Sequence, residues 1–347
     1  MAKKVLFIGA PGNIATHAVN EACKLGFEVA VFKRTNVLDE DLRYPVELIL
    51  GDRDNRKDLE RALEEFTPDV VVDFACFRAY QAELISDVLD GKVEQYIFVS
   101  SVDYYGFPLK KLPWKEEYGV SGPYPGEYAI SKGECEDVFL RKHREEQFPV
   151  TIARPCYSIH KKAVLLFFYG RDWNNEGGRT IIERLRANKP IIVPGDGTTL
   201  IQPGVARNHG RMIAWMIGQS FAIGEAYNCV HDDVITMDEY VKLFAKAVGV
   251  EPRIVHIPTD VLMSLGIKEI EMGYAHVLIR YHSYYSTDKF VEAFPDFKWE
   301  YTTEDAIREY IDWNERQGLF KEVPDETVED RVAKAWFECI KELRRKV

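Results

Sequence analysis

Short apolar runs alternate with amphipathic, helix-length segments through roughly the first 130 residues. The run at 5–9 is apolar at successive positions, which suits a strand buried on both faces, and 27–32, 46–50, 70–74 and 95–100 read as the next strands. Helical spacing fills 14–25, 56–65 and 79–89; Gly26 stops the first helix and a Pro68-Asp69 turn precedes the fourth strand. Strands separated by helices predict βαβ units, right-handed crossovers and a parallel sheet. A loop rich in Pro, Gly and Tyr follows at 107–126, then a helix at 127–146 and a sixth strand at 150–153.

Beyond Arg154 the pattern loosens, with a strand-like run at 190–193 and helices near 207–219, 237–248 and 303–317. At 347 residues the chain exceeds the usual size of one domain. The expected division is a nucleotide-binding domain with its helix 127–146 over residues 1–155, and a smaller mixed α/β substrate domain over 156–347. Later segments could complete the first sheet.

Composition narrows the function. Apolar residues make up 46% of the chain, enough to fill a core, and no tract carries the composition of disorder. A net charge of −11 argues against nucleic-acid binding, which draws on Lys and Arg to neutralise phosphates. Six cysteines lack any Cys-x-x-Cys pair and eight histidines form no metal pattern, so neither a disulfide framework nor a metal is expected. Met1-Ala2-Lys3-Lys4 leads into an apolar run too short for a signal core, and no stretch is long enough to span a bilayer. A cytoplasmic protein away from membranes is the expectation.

Between the first strand and helix stands Gly9-Ala10-Pro11-Gly12-Asn13-Ile14-Ala15. Glycines let backbone approach a pyrophosphate, a helix N-terminus offers free N–H groups, and the small Ala15 permits close helix–strand packing. This strand–turn–helix context predicts a Rossmann dinucleotide site with Gly9, Pro11, Gly12, Asn13 and Ile14 in contact. The second strand ends Phe32-Lys33-Arg34-Thr35, without the carboxylate that would bind NAD ribose hydroxyls. Lys33 and Arg34 favour NADP over NAD, unless both are solvated surface charges. After the third strand, Asp52 could accept the adenine amino group and Arg53 could cover the ring; a turn-capping Asp52 is the plainer reading.

Tyr128-Ala129-Ile130-Ser131-Lys132 puts Tyr128 and Lys132 four residues apart, on one helix face. A free phenol titrates near ~10, and an adjacent ammonium would lower that value towards a usable acid/base. Ser101 closes the fifth strand, where strand ends of such sheets meet the cofactor crevice, and its hydroxyl could hold the same substrate oxygen. Packing alone could also account for a Tyr-x-x-x-Lys in a chain with 18 tyrosines.

Gly9/Gly12/Ala15, Asp52, Ser101 and Tyr128/Lys132 together resemble the extended short-chain dehydrogenase/reductases, the NAD-dependent epimerase/dehydratase family. Ser100-Ser101-Val102-Asp103-Tyr104-Tyr105-Gly106, Arg154-Pro155, Pro194-Gly195-Asp196-Gly197 and Gly224-Glu225-Ala226-Tyr227-Asn228 are similar to family segments. The resemblance implies an α/β fold and an NAD(P)-dependent epimerase or oxidoreductase acting at a carbinol or carbonyl carbon of a sugar-like substrate. Tyr128 would be acid/base, Lys132 would tune it and orient the nicotinamide ribose, and Ser101 would polarise the substrate oxygen. The cofactor set extends to Phe74, Ala75, Cys76, Ser100 and Pro155, and Tyr104, Tyr157, Arg207 and Tyr284 are candidate substrate contacts. A homodimer through helices 79–89 and 127–146 is a further implication.

Two segments depart from the nucleotide-sugar pattern. Thr198-Thr199-Leu200-Ile201-Gln202-Pro203 lacks the arginine that grips a substrate pyrophosphate, and Cys156-Tyr157 stands where an asparagine is expected. These look more like a branch containing the chloroplast stem-loop RNA-binding proteins, which implies a nucleotide-sensing or RNA-binding protein as the alternative. Retention of Ser101, Tyr128 and Lys132, with the acidic balance, favours an enzyme. A dehydratase would want an acid beside the serine, and Val102-Asp103 matches that loosely.

Overall fold

A computed structural model describes residues 2–10, 12–124, 126–164, 176–267 and 279–347. Six strands, β1 (Lys4–Ile8), β2 (Glu28–Lys33), β3 (Glu47–Leu50), β4 (Val70–Asp73), β5 (Gln95–Val99) and β6 (Val150–Pro155), interleave with helices α1 (Ala15–Lys24), α2 (Arg56–Phe66), α3 (Ala79–Leu89) and α4 (Glu127–Glu146). Each lies within two residues of the ends that the apolar pattern predicts. The strand Ala226–Cys229 joins as a seventh, and the order runs 226–229, β6, β5, β4, β1, β2, β3, with every pair parallel.

Chain direction across the sheet reverses between β1 and β4, the crevice where such sheets bind ligands. Side chains alternate as the pleat requires. Val5 and Phe7 of β1 pack into the cluster with α1 and the helix Ala206–Trp215, whereas Leu6 and Ile8 pack opposite, with α2, α3 and α4. Both faces are therefore covered, which is the doubly wound α/β fold.

The chain divides into two compact units. One comprises Met1–Ser158, Gly204–Asp232 and Tyr285–Glu300; the other comprises Ile159–Pro203, Asp233–Tyr284 and Tyr301–Val347. In the second unit, Pro190–Pro194 pairs in parallel with Arg253–Ile257. Beside this pair Arg184, fully buried, binds the Pro190 carbonyl and Asp330 Oδ1 (2.7 Å), which ties the helix Val328–Lys346 to the unit. Among the described residues no helix is long and apolar enough to cross a membrane.

Gly9 sits in a closely packed turn of the first unit. Its φ is +80°, and a Cβ built there would stand 2.6 Å from the Ala75 Cβ at the far side of the switch point. We expect Gly9→Ala to cost about 1–3 kcal/mol through left-handed strain and this clash. Urea unfolding would measure the loss, and an unchanged midpoint would show that the turn relaxes freely.

Candidate active site

The glycine turn could hold the pyrophosphate of a dinucleotide. A Cβ at Gly12 would meet nothing nearer than the Gly9 carbonyl at 4.0 Å, so it would project into open space above the turn. Helix α1 begins without a side-chain cap; its Thr16, His17 and Ala18 N–H groups donate to the Gly12 and Ile14 carbonyls, so donors for a ligand would come from the turn ahead of them. These two features fit a pyrophosphate held by Gly12, Asn13 and Ile14. Pro11 lies outside the described residues.

Along the rest of the crevice the structure redistributes the expected roles. The Lys33 ammonium is tied to the Val37 carbonyl, whereas Arg34 is exposed at the end of β2. Asp52 caps its own turn, accepting the Asp54 N–H at 3.0 Å. Arg53 is not an exposed cover for an adenine ring: it is 7% exposed, and its Nη2 donates to Asp73 Oδ2 at 2.6 Å. Asp73, at the end of β4, also accepts from Tyr96 and from the Ala75 N–H, so this carboxylate holds the Phe74-Ala75-Cys76 segment in place.

Helix α4 carries the acid/base candidates. Lys132, 2% exposed, donates from Nζ to the carbonyls of Cys76 and Val99, both at 2.8 Å. It also lies 4.3 Å from the centre of the Phe77 ring. Burial lowers the lysine's pKa, and two of its three donors are used, leaving one. The Ser101 hydroxyl accepts the Asp103 N–H at 3.1 Å and interacts with the Tyr128 phenol and the Asp103 carboxyl.

Tyr128 departs from expectation in its electrostatics. The residue is 41% exposed, but its phenol end is crowded; burial first, then the Asp103 carboxyl, raises its pKa above the ordinary value, and Ser101 opposes them. The Lys132 ammonium stands 5.9 Å from the centre of the Tyr128 ring, engaged with backbone carbonyls, and does not depress it. Asp103 is the site residue that motif reading undervalued. Burial raises its carboxyl to about 7, and its Oδ1 has no partner. The signal was Ser-x-Asp entering a tight turn: Val102–Tyr105 forms a 3-10 helix capped by Ser101, which folds position 103 back towards position 101.

Ser100 faces away from any cofactor role for its hydroxyl. That hydroxyl donates to Glu136 on α4, and Glu136 also binds Arg154 of β6 through both carboxylate oxygens. Arg154 reaches the Tyr105 hydroxyl at 2.9 Å, and Tyr105 donates to Asn228 at 2.6 Å. Tyr104 stacks 4.1 Å from the Arg154 guanidinium. Beyond Pro155, Cys156 Sγ contacts His209 Nε2 at 3.7 Å, and the other ring nitrogen meets Ser158 Oγ at 2.8 Å. Burial pushes Cys156 up to about 12 and His209 down to about 3, so both are neutral near pH ~7. Tyr157 contacts Tyr285, and Arg207 is half-buried in the same unit. Tyr284 belongs to the other unit.

The fold is that of a Rossmann-type α/β protein. Residues 78–229 match the model of the NAD dependent epimerase/dehydratase family. The chloroplast stem-loop binding protein of 41 kDa b of Arabidopsis thaliana is 29% identical over 269 residues, 73% of this chain and 66% of that protein. This chain thus spans just under two thirds of that relative's length. Among solved structures, a UDP-glucose 4-epimerase of Bifidobacterium longum in complex with NAD+ and UDP gives a TM-score of 0.69 at 19% identity, covering 92% of this chain and 100% of that one. A dTDP-glucose 4,6-dehydratase of Bacillus anthracis in complex with NAD gives 0.69 at 18% identity, over 91% and 97%. The solved structures share the doubly wound α/β fold of this chain.

Two outcomes follow from the buried charges. Glu136→Leu or Arg154→Leu alone should cost about 3–5 kcal/mol in urea unfolding, and the double variant much less, because one partner without the other is a buried unpaired charge. Additive losses would refute the pairing. Asp103, raised from 3.8 to about 7, keeps a proton in the folded chain that the unfolded chain has released between those values. Its stabilising contribution is full at low pH and is lost as pH rises through that window. Asp103→Asn should therefore gain stability on the parent chain between about pH 4.5 and about pH 8. Parallel stability curves would place the titration elsewhere.

Proposed function

We propose that this chain is an NAD(P)-dependent enzyme that moves a hydride at a carbinol or carbonyl carbon of a sugar-like substrate, as an epimerase or oxidoreductase. The observation that carries this reading is Ser101 set against Tyr128 at the end of β5, over a lysine buried at the sheet edge. A bound dinucleotide would supply the hydride acceptor. Ser101 would hold the substrate oxygen and Tyr128 would exchange its proton. Lys132, fixed by two carbonyls, would offer its third donor to the nicotinamide ribose.

Arg34 and the missing carboxylate at the end of β2 support NADP, although Lys33 is drawn aside to Val37. Asp103 supports a second reading, a dehydratase. A carboxyl raised to about 7 beside Ser101 can protonate a departing hydroxyl. That is the chemistry an elimination needs.

Dinucleotide binding and turnover test the proposal together. The purified chain should retain or bind NADPH or NADH, and Tyr128→Phe should lower turnover on a sugar substrate by about a hundredfold or more while binding persists. Full turnover in that variant would remove Tyr128 from the chemistry. Absence of dinucleotide binding, with retention of a stem-loop RNA, would replace the enzyme with a binding protein.

A further inference from the structure

Behind Lys132 two thiols touch. Cys76, just after β4, and Cys135, on α4 one turn beyond Lys132, are both fully buried, with Sγ atoms 3.9 Å apart and Cys76 as donor. Four other cysteines stand elsewhere, and Cys339 is exposed on the terminal helix. We infer that Cys76 and Cys135 are a redox-active pair, which a hydroperoxide oxidises to a disulfide joining the loop after β4 to helix α4.

The two sulfurs are electrostatically unlike. The Cys76 S–H contact first, and the Lys132 ammonium after it, lower the Cys135 thiol, whereas burial raises Cys76. Cys135 is thus the more acidic thiol of the pair and the better nucleophile, and Cys76 keeps its proton longer. The Cys135 sulfur attacks the terminal oxygen of the peroxide, the O–O bond breaks, and an alcohol leaves with a proton. The resulting sulfenic acid is attacked by the Cys76 sulfur. Its S–O bond breaks, the S–S bond forms, and water leaves with the Cys76 proton. Two thiols lose two electrons and two protons; one peroxide is reduced to alcohol and water.

Closing the sulfurs from 3.9 Å to the ~2.05 Å of a disulfide shifts the segment whose carbonyl anchors Lys132. Oxidation should therefore weaken dinucleotide binding reversibly. That consequence rests on the proposed function, but the crosslink does not.

The test uses full-length Cys339→Ser protein, treated with tert-butyl hydroperoxide, alkylated after denaturation and mapped by peptide mass spectrometry. The expected result is loss of two of the remaining five thiols, a Cys76–Cys135 linked peptide, and recovery of both thiols with dithiothreitol. Cys76→Ser should leave Cys135 as a sulfenic acid that dimedone traps, and Cys135→Ser should protect Cys76. If a serine variant fails to fold, the linked peptide in the Cys339→Ser protein decides alone. Both thiols intact after treatment, or either oxidised without the link, would overturn the pair.

Discussion

Glu136 has no exposed surface, and its carboxylate is gripped by the Arg154 guanidinium and the Ser100 hydroxyl. This one contact fixes three elements at once: α4 carries the carboxylate, β5 leads into Ser100, and β6 carries the arginine. Two charges removed from water lose far more solvation than a loose pair could return, so the geometry must be bidentate and backed by further hydrogen bonds. Tyr105 and Asn228 supply that backing and extend the lock to the 3-10 turn and the seventh strand. The position of Tyr128 relative to Ser101 follows from it.

On that frame the site holds its ionisable groups away from their ordinary titration. Lys132 is buried against two carbonyls, Asp103 is raised by burial, and Tyr128 is raised by burial and by Asp103. Low polarity near Ser101 therefore favours proton-holding forms of both the carboxyl and the phenol. Of the two, Asp103 is the better proton donor, because a phenol raised above its ordinary value is a weaker acid than free tyrosine.

Residues that looked available are committed elsewhere. Arg53 cannot stay unpaired in the sheet edge and turns to Asp73; Lys33 turns to a carbonyl of its own loop. Cys76 contributes its carbonyl to Lys132 and its sulfur to Cys135, so one residue couples the crevice to helix α4.

Much of the first unit was legible in the chain itself. A parallel strand covered on both faces is a short, mostly apolar run, and its helices are apolar on one stripe, so β1 to β6 and α1 to α4 announce themselves. The glycine turn, Ser101 and the Tyr128/Lys132 spacing are local patterns and were equally visible. The seventh strand was not: Ala226–Cys229 is four residues long, and only its pairing with β6 across a long sequence gap makes it part of the sheet. Partners of buried charges were likewise beyond reach, because Arg154–Glu136 and Arg53–Asp73 span 18 and 20 residues. Sequence periodicity reports which face of an element is dry; which polar group meets which inside that dryness depends on packing, and the tertiary structure alone decided it.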